Sequence, residues 1–130
     1  MGADAAGNVF VGWRQLVGAF PSWTSELYVA TSQNNGASFS GAAAIPGSGM
    51  PTFFGGLAAG GSGRAYAVSR IGNDLWLSET ADGGVTWAAP VDMTGTPAES
   101  ENFYWDVGAR GNMQCVGWTV AGELRARCRS

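Results

Sequence analysis

The stretch Thr80-Ala81-Asp82-Gly83-Gly84-Val85-Thr86-Trp87 constrains this chain more than any other, because its spacing of hydroxyl, acidic, glycine and aromatic residues occurs twice. Ser32-Gln33-Asn34-Asn35-Gly36-Ala37-Ser38-Phe39 is the same word with Ser for Thr, Asn for Asp and Phe for Trp, and Thr80 lies 48 positions after Ser32. Each copy follows an apolar, β-favouring run, Leu27-Tyr28-Val29 in one case and Leu75-Trp76-Leu77 in the other. The later copy reads as the tip of a β-hairpin. Leu75 to Glu79 run into it, Asp82-Gly83-Gly84 supplies the positive-φ positions of a tight reversal, and Val85-Thr86-Trp87 starts the return strand. The Asp side chain accepts nearby backbone N–H groups, and Trp87 folds back over the turn as an apolar lid. Recurrence at a period of roughly 40–50 residues points to a propeller or a solenoid.

The pattern S/T-x-D/N-x-G-x-S/T-W/F resembles the Asp-box, or BNR repeat, of sialidases and of other secreted β-propellers, including xyloglucanases. It is carried here by Ser32, Asn34, Gly36, Ser38 and Phe39, and by Thr80, Asp82, Gly84, Thr86 and Trp87. The resemblance implies an all-β fold of antiparallel four-stranded blades, with the boxes at the blade periphery, away from any active site. Asp82 and Asn34 are then caps of their own hairpins, the alternative being that they serve as ligands or catalytic groups.

Composition agrees with an all-β chain. Of 130 residues 21 are Gly, and charged residues make up 13%, where about 25% is usual for a soluble domain. The chain holds no Lys and no His, which excludes a Ser-His-Asp or Cys-His pair, a His-ligated zinc and a Schiff-base lysine. No cofactor or metal is expected. A net charge of −3 argues against nucleic acid as a partner, since phosphate binding needs many cationic contacts. The apolar runs are short and broken by Gly, so no membrane span is expected. Met1 to Gly7 has neither the basic region nor the apolar core of a signal peptide.

Three units are expected, at approximately 1–50, 51–98 and 99–130. In the first, Asn8–Trp13 and Glu26–Thr31 are strands, Gln15–Ser25 is a long loop with an apolar tip, and Ser40–Ile45 continues after the box. In the second, the strands are Thr52–Ala58, Gly63–Ser69, Asp74–Ser78 and Ala88–Met93. The third offers Asn102–Val107, Gly111–Trp118 and Glu123–Cys128, and has no box. This amounts to about two and a half blades with a strand missing at each end. An open array leaves apolar faces and sheet edges bare. Either the sequence is a piece of a longer propeller or identical chains complete the ring, and two copies of a roughly three-bladed chain would supply the six blades of a sialidase.

The cysteines give a sharp local expectation. If Ala121-Gly122 is a two-residue hairpin loop, facing residues have numbers summing to 243, and Cys115 falls opposite Cys128. That position is a non-hydrogen-bonded pair with Cα atoms about 4.5 Å apart. A disulfide is expected, and with it an oxidising compartment and a secreted or extracellular location, the cell surface and the periplasm included; two free buried thiols are the alternative.

The same register places Gln114, Val116 and Trp118 on one face with Arg125, Arg127 and Arg129, and Trp118 opposite Arg125. Arginines beside an indole suit a carboxylate or sulfate on a sugar; a solvated strand near the terminus, or salt bridges to a neighbouring blade, is the alternative. Tyr104, Trp105 and Asp106, with Glu99 and Glu101, form a second cluster that would fit a funnel mouth or an ordinary loop. Sialidases announce an active-site arginine with Phe/Tyr-Arg-Ile-Pro; the nearest string here, Ser69-Arg70-Ile71-Gly72, lacks both the aromatic and the proline. Six Trp and three Tyr offer rings on which sugars stack, though packing between blades also uses them. The expected function is a glycan-binding or scaffold module, with part of a glycoside hydrolase and an extracellular protein-interaction module as alternatives.

Overall fold

Short runs of β-favouring residues, punctuated by glycine turns, give eleven strands and no helix among the described residues of the computed structural model, which are 1–47, 52–95 and 105–130. The strands are β1 (Gly2–Ala3), β2 (Val9–Val17), β3 (Thr24–Ser32), β4 (Ala43–Ala44), β5 (Thr52–Ala59) and β6 (Ala65–Ile71). They continue as β7 (Asp74–Thr80), β8 (Val91–Asp92), β9 (Trp105–Arg110), β10 (Met113–Val120) and β11 (Glu123–Arg129). They form three antiparallel sheets in chain order, β1-β2-β3-β4, β5-β6-β7-β8 and β9-β10-β11. Among the described residues no helix is long and apolar enough to cross a membrane.

Alternation along β6 shows how the sheets stack. Ala65 and Ala67 point to one face and Tyr66 and Val68 to the other, because successive side chains in a strand project to opposite sides. The small face receives Phe10, Leu27, Val29 and Ile45 of the first sheet, all buried, with Leu57 beside them. The large face packs Tyr66, Val68, Leu75, Leu77 and Met93 against Val107, Val116 and Trp118 of the third sheet. The middle sheet is therefore covered on both sides, and each such side chain contributes about 1.5–3 kcal/mol of burial. Across the first interface, Asp4 Oδ2 also accepts the Gly63 N–H at 2.7 Å.

The two hairpins that carry the repeated stretch are superposable in register. Tyr28 and Val29 pair with Ala44 and Ala43, and Trp76 and Leu77 pair with Asp92 and Val91, each partner shifted by 48 positions. The flanking backbone bonds shift likewise: Ser40 N–H to Thr31 O and Ile45 N–H to Leu27 O become Ala88 N–H to Glu79 O and Met93 N–H to Leu75 O.

Four expectations change. Gln15 to Val17 are not loop but the end of β2, paired with Glu26, Ser25 and Thr24, so the loop shortens to 18–23, still with Phe20 and Trp23 exposed. Residues 85–87 do not begin a return strand: the hydroxyl–carboxylate network of the turn holds them out of the ladder, and pairing resumes only at β8. The outer strands are two residues long rather than six. The first sheet has a four-strand order, because Gly2 and Ala3 pair with Phe10 and Val9. Asn102 to Tyr104, and Glu99 and Glu101, lie outside the described residues.

Candidate functional site

Thr80 and Asp82 lock the second bend. Thr80 Oγ1 donates to Asp82 Oδ1 at 2.8 Å and accepts the N–H groups of Gly84 (3.1 Å) and Asp82 (3.4 Å). Asp82 in turn accepts the Thr86 N–H at 2.9 and 3.1 Å and the Thr86 hydroxyl at 2.6 Å. The first bend repeats this arrangement. Ser32 Oγ donates to Asn34 Oδ1 (2.8 Å) and accepts the Gly36 N–H (2.9 Å) and Asn34 N–H (3.3 Å), and Asn34 Oδ1 accepts the Ser38 N–H (2.9 Å). One bond reverses polarity, as the amide requires: Asn34 Nδ2 donates to Ser38 Oγ at 2.8 Å. Both bends carry consecutive positive φ values, 58° and 82° at Asn35 and Gly36, and 75° and 87° at Gly83 and Gly84, which Asn and Gly tolerate best.

The Thr86 hydroxyl and N–H, with the Thr80 hydroxyl, hold the Asp82 carboxyl at about 2, below its ordinary 3.8. Because the folded value is the depressed one, the stability this carboxylate adds is complete above pH 3.8 and is lost as pH falls through about 2. Asn34 gives the first bend no such dependence.

The bends differ in what surrounds them. A Cβ on Gly84 would strike the Thr31 side chain, so the second bend seats directly on the first sheet, whereas one on Gly36 would meet nothing. Trp87 reaches past its own turn into the core between the first two sheets, and Phe39 at the equivalent position is 47% exposed. Phe39, Val29, Thr31 and Val85 line an open groove of about 600 Å³ there.

The third sheet brings several of the sequence-derived site residues together. Cys115 faces Cys128 across the Ala121-Gly122 turn and is bonded to it, with Cα atoms 4.0 Å apart. Both turn residues have positive φ, as a type I′ hairpin demands. Trp118 lies opposite Arg125 on one side and Trp105 on the other. Trp118 is not an open stacking platform: only 5% exposed, it belongs to the core between the second and third sheets. Arg127 reaches the same interface and donates to the Met93 carbonyl at 3.1 Å. Arg125 stands 3.7 Å from Glu123 in an exposed pair, an arrangement of small energetic weight. Tyr104 is outside the described residues.

Trp105, Asp106 and Trp118 together line a shallow cavity of about 250 Å³ with Gly117, Thr119 and Leu124. The Trp105 indole N–H is buried without a partner among the described residues, the Arg70 guanidinium stands 6.0 Å from its ring centroid, and Leu124 is 81% exposed. Arg70 itself secures the β6–β7 turn, donating to Gly72 O (2.8 Å) and Asn73 Oδ1 (3.0 Å). The sequence reading missed Leu124, Thr119 and Gly117, although the 243 register pairs Thr119 with Leu124 and would have placed them beside Trp118. Among the described residues no three His, Cys, Asp or Glu side chains gather as metal ligands. No protein-family model matches this chain, and no curated protein sequence matches it either.

Proposed function

We propose that the chain is a segment of a secreted, sialidase-like Asp-box β-propeller that works as a glycan-binding or scaffold module. The observation that supports this reading is the pair of bends with one hydrogen-bond network, set 48 residues apart at the same corner of two successive sheets. The disulfide suits an oxidising compartment. Further units, from a longer chain or from a second copy, would cover the faces left open. One of these carries Trp13 stacked on Tyr28, with ring centroids 6.2 Å apart.

The glycan contact falls at the Trp105–Asp106 cavity rather than along the arginine row, because Trp118 is buried and Arg127 is engaged with Met93. There the apolar face of a sugar ring lies against Leu124 over Gly117, while the Asp106 carboxylate on the same face of the sheet accepts hydroxyl protons. A glycan array followed by calorimetry on the best hit tests this. Asp106→Ala and Leu124→Ala should each weaken binding about 10-fold, a loss of roughly 1.4 kcal/mol, without lowering Tm. An array with no hits, or affinities the two variants leave unchanged, overturns the glycan reading and leaves a protein-interaction role. Turnover of a fluorogenic sialoside would instead favour a hydrolase.

A further inference from the structure

The β2–β3 hairpin is longer than its counterpart in the second sheet. β2 and β3 run nine residues each and close through the loop 18–23, whereas β6 and β7 run seven each and close at Gly72-Asn73. The extension carries no charge from Gln15 to Ser25, between Arg14 and Glu26. Its end is apolar: Phe20 is 86% exposed, and Leu16 and Trp23 are about half so. A bond from Ser22 N–H to Ala19 O at 2.8 Å closes the turn that carries Phe20, which makes the end a formed knob.

Toward the other end of the same hairpin lies the open groove of about 600 Å³. Val29, Thr31, Phe39, Ala43 and Val85 supply its apolar surface, Val85 being 73% exposed, and no Asp, Glu or Arg lines it. Knob and groove match in shape, one convex and one concave, and in polarity, both being uncharged. Exposed apolar side chains scattered singly need no explanation, but Leu16, Phe20 and Trp23 gathered at one end, and Phe39 and Val85 at the other, mark interaction surfaces.

We infer that the chain forms a reciprocal homodimer in which the Phe20–Trp23 knob of each copy seats in the Phe39–Val85 groove of the other. Both patches sit on one rod. Thr24, at the base of the knob, and Thr31, in the groove, are the two ends of a run along β3 of roughly 23 Å, at about 3.3 Å per residue. Two such rods laid antiparallel are related by a two-fold axis, so one arrangement fills both grooves. Area separates this from a one-way contact. At roughly 150–250 Å² per aromatic ring, less the part already covered, one knob with Leu16 offers about 300 Å², and a knob in a groove buries about 600 Å² in all. Two reciprocal contacts reach about 1,200 Å², the lower bound of a specific interface, while a single one stays in the range of incidental packing. Neither patch shares a residue with the Trp105–Asp106 cavity.

Sedimentation velocity on the full chain from about 1 μM to 1 mM tests this, covering the affinities that an interface of this size supports. The mass should rise to that of a dimer and stop there. Phe20→Ser on the knob and Val85→Ser in the groove should each weaken dimerisation at least about 10-fold and leave Tm unchanged, whereas Met113→Ser, also exposed but on the third sheet, should not weaken it. Reciprocity has its own readout. Both cysteines are held in the disulfide, so Ser22→Cys on the knob and Gly41→Cys at the groove, where a Cβ meets nothing, each introduce a single free thiol. Mixed, the two variants should form a covalent dimer on mild oxidation; Ser22→Cys alone should not, because the two knobs lie at opposite ends of the pair. A monomer at every concentration, growth beyond the dimer, a dimer that both serine variants leave intact, or Ser22→Cys chains that cross-link to themselves would each overturn the inference. So would Phe20-dependent binding to phosphatidylcholine vesicles by a chain that stays monomeric, which would make the knob a membrane contact instead.

Discussion

Phe10→Ala is expected to destabilise the chain by about 3–5 kcal/mol, the range for truncating a fully buried aromatic ring where the surroundings cannot collapse. Phe10 has no exposed surface and stands at the centre of the first inter-sheet core, among Leu27, Val29, Ile45 and Leu57. The wall it presses against is Ala65 and Ala67, which have no length with which to fill the gap. A loss of that size removes a large part of the roughly 5–15 kcal/mol a single domain has available. Urea unfolding checks it, with Leu16→Ala as the control. Leu16 is 53% exposed, and its truncation should change stability by less than about 0.5 kcal/mol.

Replacing both cysteines, Cys115→Ser with Cys128→Ser, is expected to cost about 3 kcal/mol, the scale of a cross-link closing a loop of this length. The positions are separated by 13 in sequence. The loss should concentrate in β11, where all seven residues are exposed and, among the described strands, pairing comes from β10 alone. A strand with no buried side chain gains little from the hydrophobic effect, so the cross-link carries most of what keeps it in register. Hydrogen exchange should therefore speed up by about 100-fold or more at residues 123–129 and change little in β6, which is buried on both faces. Equal acceleration in β6 and β11 would show that the disulfide supports the whole molecule instead of its edge.

What was legible in the sequence follows from how local each signal is. The Ala121-Gly122 hairpin and the Cys115–Cys128 pairing depend on one turn and a count, and both were readable. The repeated bend was readable for the same reason, since each hydroxyl and each acceptor lies within four residues of its partner. The extent of β2 was not, because Gln15 and Leu16 are exposed and show no alternation; only pairing with Ser25 and Glu26 makes them strand. Nor did sequence reveal the surroundings of Trp118. Its register was right, but whether an indole on that face meets sugar or a neighbouring core depends on the second sheet, some 40 residues away in the chain.

The central claim is that the two bends are copies of one hydrogen-bonded lock. It is tested most directly by following the Thr86 and Ser38 amide resonances in a pH titration from 6 to below 2. Thr86, bonded to the Asp82 carboxylate, should titrate with a midpoint of about 2, and Ser38, bonded to the Asn34 amide, should not follow it. In Asp82→Asn the Thr86 inflection should vanish while the rest of the spectrum is preserved. A Thr86 midpoint near the ordinary 3.8, or a Thr86 amide that ignores the Asp82 carboxyl altogether, would contradict the claim.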